Sequence, residues 1–290
     1  MKSEEICIGV TVYRCVGENT GTRNPEPGTR AMKRVGVSAL ASGSKGNSIF
    51  VDGPDGSLIV DAGLSAREIM RRLAHVGASP DRISGILVTH DHGDHLRGVR
   101  VLAKRLGLTV YGTADTLRAA GLPDNASVRV VRSGEDFAVA GFTIRPFSLP
   151  HDAADPVGFL LAHDEVKIGI ATDLGCATAL VRRRLAGCDM LVLESNYDER
   201  MLLEGPYPWF LKQRIRSRKG HLSNEASSQI LSELIHPGLQ RVILAHLSEV
   251  NNCPKAALDE AVGAVGGRGN GLDLTAAGMA EPTPVFVIET

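Results

Sequence analysis

The stretch Thr89-His90-Asp91-His92-Gly93-Asp94-His95 is the most informative part of this 290-residue chain. It contains the pattern H-x-H-x-D-H, which places three histidines and a carboxylate within six residues. Imidazole nitrogens and carboxylate oxygens are the usual protein ligands of divalent zinc and manganese. In an extended segment His90 and His92 point to the same side, whereas Asp94 and His95 point elsewhere if a helix begins near Asp94. The motif therefore predicts two adjacent metal positions.

Along the chain, several apolar strands end in a histidine or an acidic residue, and one of these residues is the first histidine of the motif. The five residues at these ends are Asp61, His90, Asp173, Glu194 and His246. In α/β folds, functional side chains gather at the carboxyl ends of the strands. One such residue only marks the place where a strand leaves the core, but five of them predict a polar site at that edge.

The rest of the chain alternates short apolar runs with turns and amphipathic segments, a pattern typical of an α/β fold. It predicts a hairpin over residues 35–52, helices over 66–76, 96–106 and 224–235, and strands over 57–60, 85–88, 166–171, 190–193 and 241–245. No repeat or long linker divides residues 33–290, which are predicted to form one domain. Residues 1–31 are predicted to be a disordered extension, because residues 17–30 are polar and rich in turn formers. The alternative is a mobile N-terminal arm of the native protein.

Composition narrows the class of protein. With 32 basic and 33 acidic residues and 43% hydrophobic residues, the chain is neither a disordered polyelectrolyte nor a protein coated with positive charge. Aromatic residues make up 4%, which argues against a large stacking platform for single-stranded nucleic acid. No apolar run approaches the length of a membrane span. Five scattered cysteines without a C-x-x-C motif predict reduced thiols and a cytoplasmic protein.

The H-x-H-x-D-H motif resembles that of the metallo-β-lactamase superfamily, and the resemblance covers nearly all of residues 35–250 in the same order. It continues at His151, at Asp173 after one strand and at His246 after a later strand, while Asp61 matches an earlier motif. The resemblance implies an α/β fold of four layers, an αββα sandwich. It also implies a catalytic domain that spans residues 33–290.

By the same resemblance, the chain binds two divalent ions through two sets of ligands. The first set is His90, His92, His151 and Asp173, and the second is Asp94, His95, Asp173 and His246. Asp173 would bridge the ions, and Asp61 would orient a ligand histidine. Asp61 and Asp94 therefore also belong to the predicted catalytic residues. The high share of imidazole favours manganese or zinc, with magnesium as a third candidate.

Four further stretches resemble the YycJ/WalJ family of this superfamily. They are ASGSKGNS at residues 41–48, HDAADPVGF at 151–159, ESNYDERMLLEGPYPWFL at 194–211 and GHLSN at 220–224. The resemblance implies a metal-dependent nuclease, and more narrowly a 5′-to-3′ exonuclease that binds the ends of double-stranded DNA and acts in DNA repair. It implies no membrane partner and leaves a homo-oligomer open.

Residues 212–223 carry the remaining candidates. His221 lies outside the two ligand sets, and its segment, residues 220–223, resembles the catalytic histidine segment of tRNase Z. His221 is therefore the predicted proton donor to the leaving oxygen. The alternative is a histidine that lies on the surface or caps a helix. Five basic residues are predicted to grip a phosphate backbone, although such runs are often solvated helix faces: Lys212, Arg214, Arg216, Arg218 and Lys219. Tyr207 and Trp209 are predicted to pack against the fold rather than to stack on a base.

The leading hypothesis is a nuclease in which two metal ions activate a hydroxide and stabilise the charge on a phosphodiester. A hydrolase of a small or cyclic phosphodiester is the second hypothesis, and the near-neutral charge suits it. A thioester or lactam hydrolase is the third. A metal-bound module that binds without turnover is the fourth, although the intact set of ligands argues against it.

Overall fold

The computed structural model describes residues 12–14, 34–269 and 271–289. Most of the predicted N-terminal extension, residues 1–31, lies outside these ranges. Its one described segment is a short strand, β1 (Val12–Arg14), which pairs with residues 273–275. The prediction of disorder for the other residues of the extension therefore stays a prediction.

One mixed sheet comes from the first half of the chain and its last residues. Its strands are β2 (Arg34–Ala41), β3 (Ser48–Gly53), β4 (Gly56–Val60), β5 (Ile83–Leu87), β6 (Thr109–Gly112), β7 (Val128–Val130) and β15 (Phe286–Glu289). Within the described residues, their order is β15-β2-β3-β4-β5-β6-β7. The strands from β15 to β4 pair antiparallel, and those from β4 to β7 pair parallel.

The second sheet repeats this plan. It contains β1 together with β8 (Phe137–Val139), β9 (Phe142–Ser148), β10 (Val157–His163), β11 (Val166–Ala171), β12 (Met190–Glu194), β13 (Arg241–Ala245) and β14 (Asp273–Ala276). In the part of the chain that the structure describes, the order is β1-β14-β13-β12-β11-β10-β9-β8. The strands from β8 to β11 are antiparallel neighbours, and those from β11 to β14 are parallel neighbours.

Helices cover the outer faces of both sheets. They are α1 (Ala66–His75), α2 (Gly93–Leu96), α3 (Val99–Leu106), α4 (Ala114–Ala119), α5 (Ala179–Leu185), α6 (Glu199–Glu204), α7 (Trp209–Ile215), α8 (Asn224–Leu234) and α9 (Pro254–Val265), with short 3₁₀ helices at Pro80–Arg82 and Gly266–Arg268. Helices α1 and α3 pack on the first sheet, and α5, α8 and α9 on the second. The predicted αββα sandwich is therefore confirmed. Among the described helices, none is long and apolar enough to cross a membrane.

The four layers explain why the strands are almost continuously apolar. In β12, Met190 and Val192 point into the core between the sheets, whereas Leu191 and Leu193 point toward the outer helices. A strand that is buried on both faces lacks the polar alternation of a half-exposed strand. The same burial leaves the strand ends as the places where polar side chains can reach a common site.

The predicted helix over residues 96–106 is wrong in one respect, because the chain forms α2 and α3 with a break at Gly98. The Gly98 N–H donates to the carbonyl of Ala62 over 2.7 Å, and a Cβ at this position would lie 2.1 Å from the carbonyl oxygen of Leu64. Only glycine fits so close an approach. The break therefore fixes α2, which carries two of the predicted ligands, against the loop after β4.

Arg72 on α1 joins three separate segments and is predicted to be important for stability. Its buried guanidinium donates to the carbonyls of Leu40 and Met279 over 2.7 and 2.8 Å, and it also pairs with Glu68. We expect Arg72→Met to lower the free energy of unfolding by about 2 to 4 kcal/mol, because the carbonyls lose charged donors in a buried place. Arg71→Met is the matched control, since Arg71 is half-exposed and its pair with Glu68 should contribute less than about 1 kcal/mol. Urea denaturation of both variants measures the difference, and an equal effect of the two would contradict the assignment.

Candidate metal centre

The strand ends named by the sequence come together at one edge of the two sheets. Asp61 follows β4 and Asp173 lies two residues beyond the end of β11. Glu194 is the last residue of β12, and His246 follows β13 directly. Because β11, β12 and β13 are parallel neighbours, their carboxyl ends meet at the same edge.

Three of these residues have an unusual backbone. Asp61, Asp173 and His246 have φ angles of 60°, 61° and 57°, in the left-handed region that side chains other than glycine rarely adopt. Each such residue costs about 1 to 3 kcal/mol, and it keeps this conformation only where contacts with its surroundings offset that cost. All three are almost completely buried and stand where a strand ends. Their concentration at one edge marks a site whose geometry the fold maintains against local preference.

The remaining candidates of the H-x-H-x-D-H motif are fixed by neighbouring loops. The backbone carbonyl of Asp94 accepts from Asn47 N–H over 2.8 Å, and that of His95 accepts from Ala62 N–H over 2.9 Å. Gly63 allows this contact, since a Cβ there would lie 1.6 Å from the carbonyl oxygen of Asp94. The single turn of α2 thus presents Asp94 and His95 from a direction different from that of the extended residues before it.

Side-chain donor atoms within the described residues form four overlapping groups, in each of which all atoms lie within 4.8 Å of one another. The groups are His90, His92 and His151; Asp94, His95 and His246; His90, His95 and Asp173; and Asp173, Glu194, His221 and His246. The first group contains the histidines of the first predicted set. The second contains the residues of the second predicted set apart from Asp173. Asp173 lies in the third and fourth groups, which share histidines with the first two. The structure thus brings the predicted ligands together as two adjoining clusters.

Several imidazole rings of the site form a hydrogen bond through the same ring atom, Nδ1. His95 Nδ1 lies 2.8 Å from Asp61 Oδ2, and His151 Nδ1 lies 3.0 Å from the carbonyl oxygen of Gly220. Thr89 Oγ1 donates to Asp61 Oδ2 over 2.8 Å and thereby accepts from His90 Nδ1 at 2.9 Å. A ring whose Nδ1–H is used in this way keeps its Nε2 lone pair for another partner. Asp61 therefore orients His95 directly, and it orients His90 through Thr89.

Glu194 is a central residue of the site that the sequence analysis did not assign a role. Its completely buried carboxylate lies 2.8 Å from the Nδ1 atoms of both His221 and His246. It also accepts from the backbone N–H groups of Leu174 and Leu222 over 3.1 and 3.0 Å. The available signal was its place among the five strand ends. What the sequence does not give is that two histidines, 27 and 52 residues later in the chain, meet this carboxylate.

Asn47 is a second residue that the sequence analysis missed. Its side-chain amide lies 3.0 Å from His95 Nε2 and 3.2 Å from Asp94 Oδ2. In the same hairpin loop, Ser42 Oγ accepts from His246 N–H. The loop between β2 and β3 therefore contacts all three residues of the group formed by Asp94, His95 and His246.

Charge and burial set the protonation states around the site. Burial raises the pKa of the Asp173 carboxyl, but the imidazoles of His246 and His95 outweigh burial and hold that pKa well below its usual value. The same holds for Glu194. Burial raises its pKa, but the nearby His221 and His246 outweigh burial and lower the pKa to about 2. For His90, burial and the neighbouring His95 lower the pKa. Ionised carboxylates and a neutral His90 are the forms that bind a divalent cation.

Nine buried side-chain atoms of the described residues have no hydrogen-bond partner, and three of the nine belong to predicted metal ligands: His90 Nε2, His246 Nε2 and Asp173 Oδ2. Buried polar atoms are nearly always satisfied in proteins, so each of these atoms needs an explanation. All three belong to the overlapping clusters, and all three are lone-pair atoms of metal-binding types. The residues present therefore fit a divalent metal site, and the orphaned atoms face it.

His221 and part of the basic stretch lie beside these clusters. A cavity of about 240 Å³ is lined by His92, Asp94, Asp173, His221 and His246, and by Arg214 on its α7 wall. His221 is partly exposed, with 21% of its side chain accessible, and its Nδ1 is held by Glu194. Its Nε2 is thus left for the cavity. A capping role is not its main contact, since Ser223 caps α8.

The five basic residues do not act as one group. Lys212 is buried, and its ammonium donates to the carbonyls of Leu203 and Gly205 over 2.6 and 2.8 Å, so it is not available to a phosphate. Arg214 donates to Asp152 over 2.6 Å at the edge of the cavity. Arg216 pairs with Glu199 on α6. The two remaining residues, Arg218 and Lys219, are exposed and form no ion pair within the described residues.

The chain matches the Beta-lactamase superfamily domain over residues 57–247. Among solved structures, the metallo-β-lactamase fold protein YhfI from Bacillus subtilis superposes with a TM-score of 0.67 at 18% identity, covering 89% of this chain and all of that chain. Together with the histidine and carboxylate clusters, the domain match makes this chain a metal-dependent hydrolase of the metallo-β-lactamase fold.

Two relatives of known name indicate to which family of this superfamily the chain belongs. Exodeoxyribonuclease WalJ of Streptococcus pneumoniae is 34% identical over 234 residues, and the match covers 78% of this chain and 87% of WalJ. Exodeoxyribonuclease YycJ of Bacillus anthracis is 34% identical over 225 residues, covering 76% and 85%. The chain therefore belongs to the family of the WalJ and YycJ proteins within the β-lactamase superfamily.

Glu194→Gln tests the role of the buried carboxylate in orienting the site. The amide keeps the shape but presents one acceptor oxygen and one NH₂ group where two imidazoles and three backbone N–H groups now donate. We expect metal affinity to fall about 10- to 100-fold, as for other groups that hold ligand histidines. Equilibrium dialysis with manganese measures the change. Glu165→Gln, in the exposed turn between β10 and β11, is the matched control, and an equal affinity of both variants would contradict the role.

Proposed function

We propose that this chain is an exodeoxyribonuclease that degrades double-stranded DNA from 5′ to 3′ with two divalent metal ions. The observation that carries the proposal is the cavity in which two metal-binding clusters, His221 and Arg214 meet. The relatives named exodeoxyribonucleases support the substrate. The same relationship supports a role in DNA repair, and three free cysteines in the described residues accord with a cytoplasmic location.

The first ion would be held by His90, His92, His151 and Asp173, and the second by Asp94, His95, His246 and Asp173. Their imidazoles favour manganese or zinc over magnesium. Bound there, such ions would lower the pKa of a water molecule and stabilise the charge on a phosphodiester. The chain's own task is to hold the ligand atoms in place, which Asp61 does for His95 and Glu194 does for His246.

His221 is proposed to donate a proton to the departing sugar oxygen. Glu194 holds Nδ1, so a protonated ring presents the Nε2–H group to the cavity. The ionised Glu194 stabilises the imidazolium before transfer, and the 2.8 Å contact keeps the ring from rotating. Imidazole is the side chain most often used as a general acid, because it can both hold and release a proton.

Arg218 and Lys219 are proposed to contact the DNA backbone. Each contact with a phosphate releases counterions and adds about 0.9 to the slope of log affinity against log salt. We expect the double variant Arg218→Ala/Lys219→Ala to lower that slope by about 2 and to weaken binding equally for different sequences. Fluorescence anisotropy with a labelled duplex at several salt concentrations measures the slope. The control is Arg67→Ala on α1, in the opposite outer layer, and an unchanged slope in the double variant would remove these residues from the interface.

Matched duplex and single-stranded DNA, labelled at either the 5′ or the 3′ end, tests the proposed activity and polarity. The proposal expects the 5′ label to appear first as mononucleotides or short products, with the duplex preferred. Release from the 3′ end would overturn the polarity. Cleavage of bis-p-nitrophenyl phosphate without any cleavage of DNA would overturn the nuclease and favour a small phosphodiester as substrate.

A further inference from the structure

Two aromatic side chains beside the cavity are unusually exposed. Phe210 is 71% exposed and Trp209 is 59% exposed, which makes them the most exposed large hydrophobic residues in the described part of the chain. The expectation that Trp209 packs against the fold is therefore wrong, whereas Tyr207 is half-buried and lines the cavity. Exposed apolar groups of this size that lie together are informative, because folding normally buries them.

Both residues begin α7, the helix that forms one wall of the cavity. Leu211, Arg214 and Ile215 of this helix line the cavity. Phe210 precedes Arg214 by four residues, so the two side chains share one face of the helix. Phe210 therefore lies on the rim next to Arg214, and Trp209 lies one residue further round the helix. Neither aromatic residue is among those that line the cavity, so the pair lies outside the cavity, on the exposed side of α7.

The charge near the pair indicates what would cover it. Arg214 is on the same helix, and the exposed Arg218 and Lys219 follow within the next turn and loop. A partner protein that covered this patch would have to bury the aromatic rings and, at the same time, supply acidic groups for the surrounding cations. Single or frayed nucleic-acid strands offer both complements, because their phosphates attract cations and their bases stack on aromatic rings.

We propose that Phe210 and Trp209 form a stacking platform for the nucleobase next to the phosphodiester held in the cavity. This inference rests on the proposed DNA hydrolysis. Phe210 is the main contact, because it borders the arginine that lines the cavity, and Trp209 is the second. Stacking does not depend on the identity of the base, so the platform would anchor a strand without sequence preference.

A binding cycle tests the platform with manganese-loaded protein and a duplex whose terminal linkages are phosphorothioates. The proteins are the wild type, Phe210→Ala, Phe210→Tyr and Val101→Ala, the last being a control at a 52% exposed residue of α3. Each protein is titrated with the intact duplex and with a duplex that carries an abasic site at its 5′ end. Trp209 is the single tryptophan of the chain, so its emission reports stacking directly.

The platform predicts that Phe210→Ala weakens binding of the intact duplex about tenfold, while Phe210→Tyr and Val101→Ala bind like the wild type. The abasic site should weaken DNA binding by the wild type by a similar factor and should cause no further loss of affinity in Phe210→Ala. It should also reduce the quenching of Trp209 emission that the intact duplex causes on binding. Equal losses from the abasic site in both proteins would overturn the platform. So would a change of mass in sedimentation of Phe210→Ala with unchanged DNA affinity, because the patch would then join two copies of the chain.

These outcomes separate the platform from the proposed function. If the wild type does not cleave DNA, the nuclease proposal fails whatever the binding cycle gives. If the wild type cleaves DNA but the cycle shows no coupling between Phe210 and the base, only the platform fails. Because Phe210 is mostly exposed, its replacement by alanine removes little packing, and Phe210→Tyr keeps the ring as a check on folding.

Discussion

Replacing His92 by alanine is expected to lower metal content and to reduce DNA cleavage at least about 100-fold. This residue belongs to the three-histidine cluster, and its Nδ1 lies 3.3 Å from His151 Nε2. Loss of one ligand should exceed the effect of losing a group that only orients a ligand, which costs about 10- to 100-fold. His92 is half-buried in a loop, so its removal should leave the fold intact. Elemental analysis of the purified variant and a cleavage assay measure both effects.

The matched control for this variant is His75→Ala, since His75 is an exposed histidine at the end of α1. It should keep the metal content and cleavage of the wild type. Wild-type cleavage by His92→Ala would contradict its assignment as a ligand. A variant that retains two ions but is inactive would point instead to a role in contacting the substrate.

Replacing His221 by alanine is the second large effect, with an expected loss of about 100- to 1,000-fold in kcat on DNA and no loss of metal. The reason is that a sugar oxygen leaves poorly without a proton. A p-nitrophenolate group leaves without one, so the same variant should lose much less activity on a p-nitrophenyl phosphodiester. The ratio of the two losses distinguishes proton donation from a structural role, which would reduce both reactions alike.

His236→Ala is the matched control. His236 follows α8, which packs on the second sheet, and its imidazole contacts the carbonyl of Cys188 and not the metal centre. It should change neither rate by more than a small factor. Equal losses on DNA and on the p-nitrophenyl substrate in His221→Ala would contradict proton donation. A loss of metal in that variant would instead assign His221 to the group of Asp173, Glu194 and His246.

The sequence could predict the layers and the strand ends because these depend on local patterns. The strands that end at Val60, Ala171 and Ala245 each finish in an apolar run, at residues 58–60, 168–171 and 242–245, and the strands end where these runs stop. The residues that follow are therefore fixed in place once the strands pair. The H-x-H-x-D-H motif is equally local, because its spacing and the turn at Gly93 already separate two directions of side chains.

Features that depend on contacts between distant segments could not be predicted in this way. Glu194 gains its importance only when His221 and His246 reach it, and Lys212 loses its apparent role only because α7 places its ammonium against two carbonyls. The break at Gly98 arises from contact with the loop after β4. In each case the local sequence is compatible with more than one arrangement, and packing decides among them.

A metal titration of the apoprotein tests the two-metal site, if bound ions and cleavage of a 5′-labelled duplex are measured on the same samples. The two adjoining clusters predict that activity rises with manganese or zinc and reaches its maximum when two ions are bound per chain. Chelation should remove the activity, and readdition of metal should restore it. Full DNA cleavage by protein that contains no divalent metal, or a metal-loaded protein that does not cleave DNA, would contradict a metal-dependent nuclease.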